Sequence, residues 1–226
     1  MRRTIAQLVD QADPAWPLVK GWIAEAELAV EVLPASQDRD DALVDLQVTT
    51  RSPMGAITHE SGGLRIDGGW LIVLGSGHPR APWSIAALTR ALGFWPDRDA
   101  MPELLVVGVD VMGGFFALDG GPLGNPGNVH YFAPDTLDWL DCEKGYSEWA
   151  HFCMSANVEQ FYADLRWDGW EAEVARLPDG AGIHVHPPLF TAESKPLEDA
   201  SRRAVPMLEL LRMNLDFARQ LGDAPD

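Results

Sequence analysis

The chain is poor in positive charge and in cysteine, and each shortage excludes a class of partner or architecture. Seventeen lysines and arginines stand against thirty-four aspartates and glutamates in 226 residues, a formal net charge of −17. Such a chain repels polyanions, so neither nucleic acid nor an anionic membrane surface is an expected partner. The two cysteines, Cys142 and Cys153, have no CxxC partner. That excludes a zinc ribbon, a thioredoxin-like motif and a disulfide-built scaffold, and it fits reduced thiols in a cytosol. Long apolar runs are missing too. The longest nearly uncharged stretch, Leu104 to Asp119, is broken by Asp110 and by Gly113-Gly114, so no membrane-crossing helix is expected. Asp10 and Asp13 interrupt the apolar stretch behind Arg2 and Arg3, so no signal peptide is expected and the predicted location is cytoplasmic.

What is present suits a core of ordinary size: 46% of residues are hydrophobic. Thr4 to Gln7 has the form of a capping box opening a short helix through about Gln11. Asp13-Pro14 predicts a second helix with Trp16, Val19, Trp22, Ile23 and Ala26 on one face, and a third runs from Asp38 to Gln47. Met54 to Glu60 predicts a fourth, stopped by Gly62-Gly63. Strands then take over. Leu64–Asp67 and Trp70–Leu74 flank Gly68-Gly69 as a hairpin, Leu104–Val111 and Phe115–Leu118 flank Gly113-Gly114, and Asn128–Phe132 adds another strand. Short strands joined by glycine turns imply an antiparallel meander rather than βαβ units. Helices are expected again from Ser147, from Asn157 with a second capping box, from Trp167 to Leu177, and from Pro206 to Leu221, with a Pro/Gly-rich loop carrying His184 and His186 before the last. The expected fold class is α+β, a central antiparallel meander sheet flanked by N-terminal and C-terminal helices. Residues 1–226 are read as one domain, a core over 1–165 followed by a helical extension over 166–226.

Acidity is concentrated. Between Asp99 and Leu165 there are eleven carboxylates and a single cation, Lys144. An acidic face is implied, suited to capturing a basic partner, although a merely solubilising surface has the same composition. Asp135, Asp138, Trp139, Asp141 and Glu143 are the candidate partner-binding residues, Trp139 because it is an aromatic flanked by carboxylates. Nine tryptophans exceed ordinary usage, and most are expected in the core.

Catalytic signatures are weak. His184-Val185-His186 supplies two imidazoles on one face of a strand, half of a metal site, with no third ligand in register. His59-Glu60 lacks the HExxH spacing, and Gly75-Ser76-Gly77 is not a nucleophile elbow. The glycine pairs match neither a P-loop nor a dinucleotide fingerprint and read as hairpin turns. Asp110, Asp119 and Asp135 lie near strand ends, as hard oxygen ligands or as turn residues. No cofactor is indicated.

Several segments together carry a family resemblance. Asp13-Pro14-Ala15-Trp16-Pro17, Leu46 to Ala56, Gly63 to Gly77, Gly113 to Leu118, Val129 to Leu137, Trp167-Asp168-Gly169-Trp170-Glu171 and Ser201 to Pro206 resemble a bacterial family known as domain of unknown function 2625, along nearly the whole chain. The order of elements, from the helix ending at Gly62-Gly63 to the helix opened by Ser147-Glu148-Trp149, is also similar to the SMI1/KNR4-like, or SUKH, superfamily. That second resemblance implies a SUKH-like core and, since many bacterial members neutralise toxins by binding them, an immunity-type function. The expectation is therefore a non-enzymatic binding protein whose acidic face recognises a basic protein, a toxin among the candidates. The alternative is a small-ligand or divalent-metal enzyme using Asp110, Asp135 and the pair His184/His186.

Overall fold

The computed structural model describes residues 2–222. Its centre is a seven-stranded sheet in which each strand pairs with the next in sequence, all antiparallel: β1 (Val30–Leu33), β2 (Gly63–Ile66), β3 (Leu71–Leu74), β4 (Leu104–Asp110), β5 (Phe115–Asp119), β6 (Val129–Phe132) and β7 (Trp139–Asp141). The expected α+β class and meander are what the chain forms, with an unexpected strand added at each edge, β1 and β7.

Helices α1 (Ile5–Leu8), α2 (Trp16–Ala24), α3 (Arg39–Leu46) and α4 (Pro53–Glu60) precede or interrupt the first strands. Gln7 accepts a hydrogen bond from the Thr4 N–H at 2.9 Å, but α1 ends at Leu8 rather than near Gln11. The Asp10 carboxylate takes the Ala12 and Asp13 N–H groups, each at 2.9 Å, and turns the chain away. Ser52 caps α4 by accepting from Gly55 N–H, with Pro53 in the first turn. Helix α5 (Ile85–Ala91) was not expected; it lies on β4, where Thr89 Oγ1 accepts the Val106 N–H at 3.0 Å.

Helices α6 (Tyr146–Phe152), α7 (Asn157–Phe161) and α8 (Trp170–Val174) follow the sheet. The cap expected at Asn157 does not form, because that residue is already helical and Ala156 stands at the N-cap. Helix α8 starts later than Trp167, since Gly169 at φ 82° breaks the run. The 166–226 extension is not purely helical. The Pro/Gly-rich loop holds β8 (Ala181–His186), paired with β9 (Ser201–Pro206) as a separate two-stranded sheet before α9 (Met207–Gly222). Ile183 N–H donates to Val111 O at 2.6 Å, tying this hairpin to the end of β4.

One buried apolar cluster runs from Val19 in α2 to Leu215 in α9. Aromatic side chains dominate it. Trp149 lies against Gly108, where an added Cβ would come within 2.8 Å of the indole, so only glycine admits the ring. A bulge between Val106 and Gly108 sets that register. Trp70 is fully buried, with the Trp170 ring at 4.9 Å and the Tyr162 ring at 5.6 Å. Arg166 lies over both Trp70 and Trp170 and reaches Asp67 at 2.5 Å. Arg202 covers Trp167, while Glu173 accepts from Trp167 Nε1 and Arg202 Nε at 3.0 and 3.1 Å. The tryptophans thus act mostly as core; Arg166 stacks on Trp70 to bind the C-terminal segment to the sheet, and Arg202 stacks on Trp167 within that segment.

Candidate functional site

Edge strand β7 carries the predicted residues. Its pairing with β6 sets Asp141 opposite His130, Leu140 opposite Tyr131 and Trp139 opposite Phe132. Strand alternation puts Trp139 and Asp141 on one side of the sheet and Leu140 on the other, while Asp135, Asp138 and Glu143 lie in the turns that flank the strand. Asp138 and Glu143 are exposed; Asp135, Trp139 and Asp141 are half-buried. Leu140, absent from the predicted set, is a large apolar side chain 53% exposed in the middle of them.

Local bonding separates these side chains by role. Trp139 packs edge-on against Phe115 and Phe132, each 5.3 Å away, so much of its area serves the core. Asp141 is a local organiser: it accepts from Glu143 N–H at 2.7 Å, from Asn125 Nδ2 at 2.8 Å and from Asn128 Nδ2 at 3.1 Å. The Glu143 N–H bond, with the Asn128, His130 and Asn125 contributions, holds its carboxyl below the usual range against the opposing effect of burial. Asp138 accepts from the Trp139 N–H at 2.7 Å, covering a backbone donor at the sheet edge.

Among the described residues, ion pairs neutralise some carboxylates and leave others without a partner, here as at exposed Glu25, Glu27, Asp38 and Asp41. In the N-terminal half, Asp10 and Asp13 meet Arg51, Glu31 meets Arg65 and Arg80, Asp40 meets His59, and Asp45 meets Arg90 and Arg98. Between Asp99 and Leu165 the described residues form two. Asp99 lies 3.9 Å from Arg2, and Asp141 lies 3.8 Å from His130. Asp135, Asp138, Glu143 and Glu148 form none among the described residues. Lys144 donates to Cys142 O at 3.3 Å and lies over the Phe152 ring at 5.3 Å. The negative charge near β7 is therefore unneutralised as well as concentrated.

The residues of the alternative reading are not brought together. Asp110 is sealed inside the protein. Its Oδ1 accepts from Met112 N–H at 2.9 Å and Gly114 N–H at 3.0 Å, and its Oδ2 accepts from Tyr131 at 2.7 Å and Tyr162 at 3.2 Å. Burial raises its carboxyl to about 6 despite these four donors. An added Cβ at Gly114 would sit 2.4 Å from Asp110 Oδ2 and 2.2 Å from the Tyr131 hydroxyl, so the Gly-Gly pair makes room for the network. Asp119 is a turn residue, accepting from Gly121, Leu123 and Asn125 N–H at 2.7, 3.2 and 3.0 Å. His184 and His186 lie on β8 opposite Arg203 and Ser201. Burial first, then Arg203 and His186, lowers the His184 pKa. No group of three or more His, Cys, Asp or Glu placed to hold a metal ion occurs among the described residues. Burial also pushes the Cys142 thiol up to about 12, and that of Cys153 well above its ordinary value, so both are held as thiols rather than thiolates.

These features define an α+β meander protein with an acidic, unpaired sheet edge and a polar network enclosed in its core. The chain belongs to the family described as protein of unknown function DUF2625, whose model matches residues 5–210. It is 40% identical over 213 residues to the putative uncharacterized protein YbfG of Escherichia coli (strain K12), covering 93% of this chain and 95% of that one. It is 34% identical over 195 residues to an uncharacterized protein of Haemophilus influenzae, covering 85% of each. No solved structure matches it. Among the described residues no helix is long and apolar enough to cross a membrane.

Proposed function

We propose that the chain is a cytoplasmic, non-enzymatic binding protein whose β7 edge docks a basic protein. Asp135, Asp138, Asp141 and Glu143 supply the field, exposed Leu140 supplies apolar contact, and Trp139, which anchors the strand to the core, adds its remaining exposed edge. One observation supports this above the others: the exposed carboxylates Asp138, Glu143 and Glu148 near β7 form no ion pairs among the described residues, in a span from Asp99 to Leu165 whose single cation is Lys144. Unpaired surface charge steers encounter and selects the sign of the partner, and a central apolar side chain carries the tighter contact. The likeness in element order to the SUKH superfamily makes a bacterial toxin the first partner to try.

Charge reversal at exposed positions tests the proposal without disturbing the core. The double variant Asp138→Lys with Glu143→Lys should lose basic proteins that the wild-type chain retains on an affinity column. Raising the salt should release them from the wild type as well. Equal retention by both chains at low and high salt would refute electrostatic docking at this edge.

A further inference from the structure

A second site lies elsewhere on the molecule and shares no lining residue with the β7 edge. Where the end of α3 and the start of α4 approach the 95–102 loop, a cavity of about 280 Å³ opens to the surface. Leu46, Val48, Met54, Trp95, Leu105 and Leu118 form its apolar wall. Leu105 and Leu118 are cross-strand partners in β4 and β5, so its floor is a rigid pair of sheet side chains. Trp95 Nε1 donates to Ala100 O at 2.9 Å and fastens the loop that closes one side. Met101, which also lines the cavity, is 89% exposed and marks the open side.

Charge at this cavity is balanced rather than acidic. Three guanidinium groups converge on the Asp45 carboxylate: Arg90 at 2.8 Å, Arg98 in direct hydrogen bond, and Arg2 at 3.9 Å. Burial alone would raise the Asp45 pKa, and the Arg90 and Arg98 bonds more than offset it, so this carboxylate stays charged. Asp99, its side chain 89% exposed, is the other acid lining the cavity and lies 3.9 Å from Arg2. Arg2 and Arg98 line the cavity beside Asp45 and Asp99, and Arg90, behind the lining, makes a second bond to Asp45, so the acids here are neutralised within a chain of net charge −17. Arg90 lies over the Trp95 ring at 4.7 Å, and its Nε and Nη2 are buried without partners. Arg98 lines the cavity with its side chain 63% exposed, while Arg2 donates from Nη1 to Arg98 O at 3.1 Å and from Nη2 to Val44 O and Asp45 O at 3.0 and 3.1 Å, so Arg98 is the more open donor.

An apolar wall with guanidinium N–H donors at its rim suits a ligand with an aliphatic tail and a charged acceptor head. We propose that this pocket binds a small amphipathic monocarboxylate. The aliphatic tail fills the space between Trp95, Leu105 and Leu118, and the carboxylate accepts charge-assisted hydrogen bonds from Arg98. The size excludes large ligands, since pockets for drug-sized molecules start at roughly 300 Å³. A neutral head group forgoes the charge-assisted bonds, and an ammonium head group has no acceptor for the Arg98 N–H donors.

Titration calorimetry of the full chain with octanoate, octanol and octylamine tests this with one tail and three head groups. Octanoate should bind, octanol about tenfold more weakly, and octylamine undetectably. Arg98→Ala should weaken octanoate about tenfold. Met101→Glu should weaken it and Met101→Lys strengthen it, and this exposed position changes the charge at the opening without touching the core. The proposal is overturned if octylamine binds as well as octanoate, if octanoate ignores Arg98→Ala and both Met101 variants, or if octanoate gives no heat at about 1 mM.

Discussion

Replacing Asp110 by Asn should remove a pH dependence of folding stability that the buried carboxyl creates. In the folded chain the Asp110 pKa is about 6, against an ordinary value of 3.8, because burial penalises the charged form more than four hydrogen-bond donors favour it. The folded state therefore binds this proton more tightly than the unfolded state. Its contribution is fully present below the unfolded pKa and is lost as pH rises toward and through the folded one. At about 1.36 kcal/mol per unit, the loss comes to roughly 3 kcal/mol between about pH 4 and pH 7. Asparagine keeps an acceptor for the Met112 and Gly114 N–H groups and cannot titrate. Urea unfolding of both chains across that range measures the effect. Carboxylates such as Asp45, whose pKa is lowered, act in the opposite direction but cancel in the difference between the two proteins. The wild-type advantage over the variant should shrink steadily as pH rises, and removing both phenol donors with Tyr131→Phe and Tyr162→Phe should shift the transition to higher pH. A pH-independent difference, or one that grows with pH, would refute the assignment of a raised pKa to a sealed Asp110.

Three further outcomes follow from the packing. Gly108→Ala forces a methyl group against Trp149 and should cost about 1–3 kcal/mol in urea unfolding, with near-ultraviolet circular dichroism reporting displacement of the indole. Asp119→Ala orphans the N–H groups of Gly121, Leu123 and Asn125 and should cost about 1–3 kcal/mol, with faster hydrogen exchange confined to the 120–128 loop. Arg166→Lys keeps a charge near Asp67 but loses the planar stack between Trp70 and Trp170, so thermal unfolding should show about 1–2 kcal/mol lost and most of the effect of Arg166→Ala reproduced.

The meander was legible because its turns are glycine pairs placed between β-branched and aromatic runs, a signal confined to neighbouring residues. The missed strands lack it. Val30–Leu33 has a half-exposed, four-residue pattern whose partner is β2, some thirty positions onward, so only the tertiary pairing reveals it. Trp139–Asp141 reads as acidic turn chemistry and becomes a strand by adding to β6. Ile183 and Val185 do alternate with His184 and His186, but the flanking glycines and prolines suggested a loop, and the partner strand, Ser201–Pro206, has little apolar character of its own. The concentration of acid was likewise readable from the sequence. Which acids are neutralised was not, because the pairs span long separations, as from Glu31 to Arg80 and from Asp45 to Arg98. Leu140 escaped notice for a related reason: an apolar residue beside a tryptophan looks like core until the sheet ends there. The three arginines around Asp45 come from separate parts of the chain and form no motif.

The central claim is that the unpaired carboxylates along β7 recognise a positively charged protein. Quantitative mass spectrometry of proteins captured by the wild-type chain and by the Asp138→Lys, Glu143→Lys variant, each at low and high salt, tests it most directly. The account predicts a set of basic proteins bound by the wild type at low salt, released by high salt, and absent from the variant. Capture of the same proteins by both chains, insensitive to salt, would contradict it.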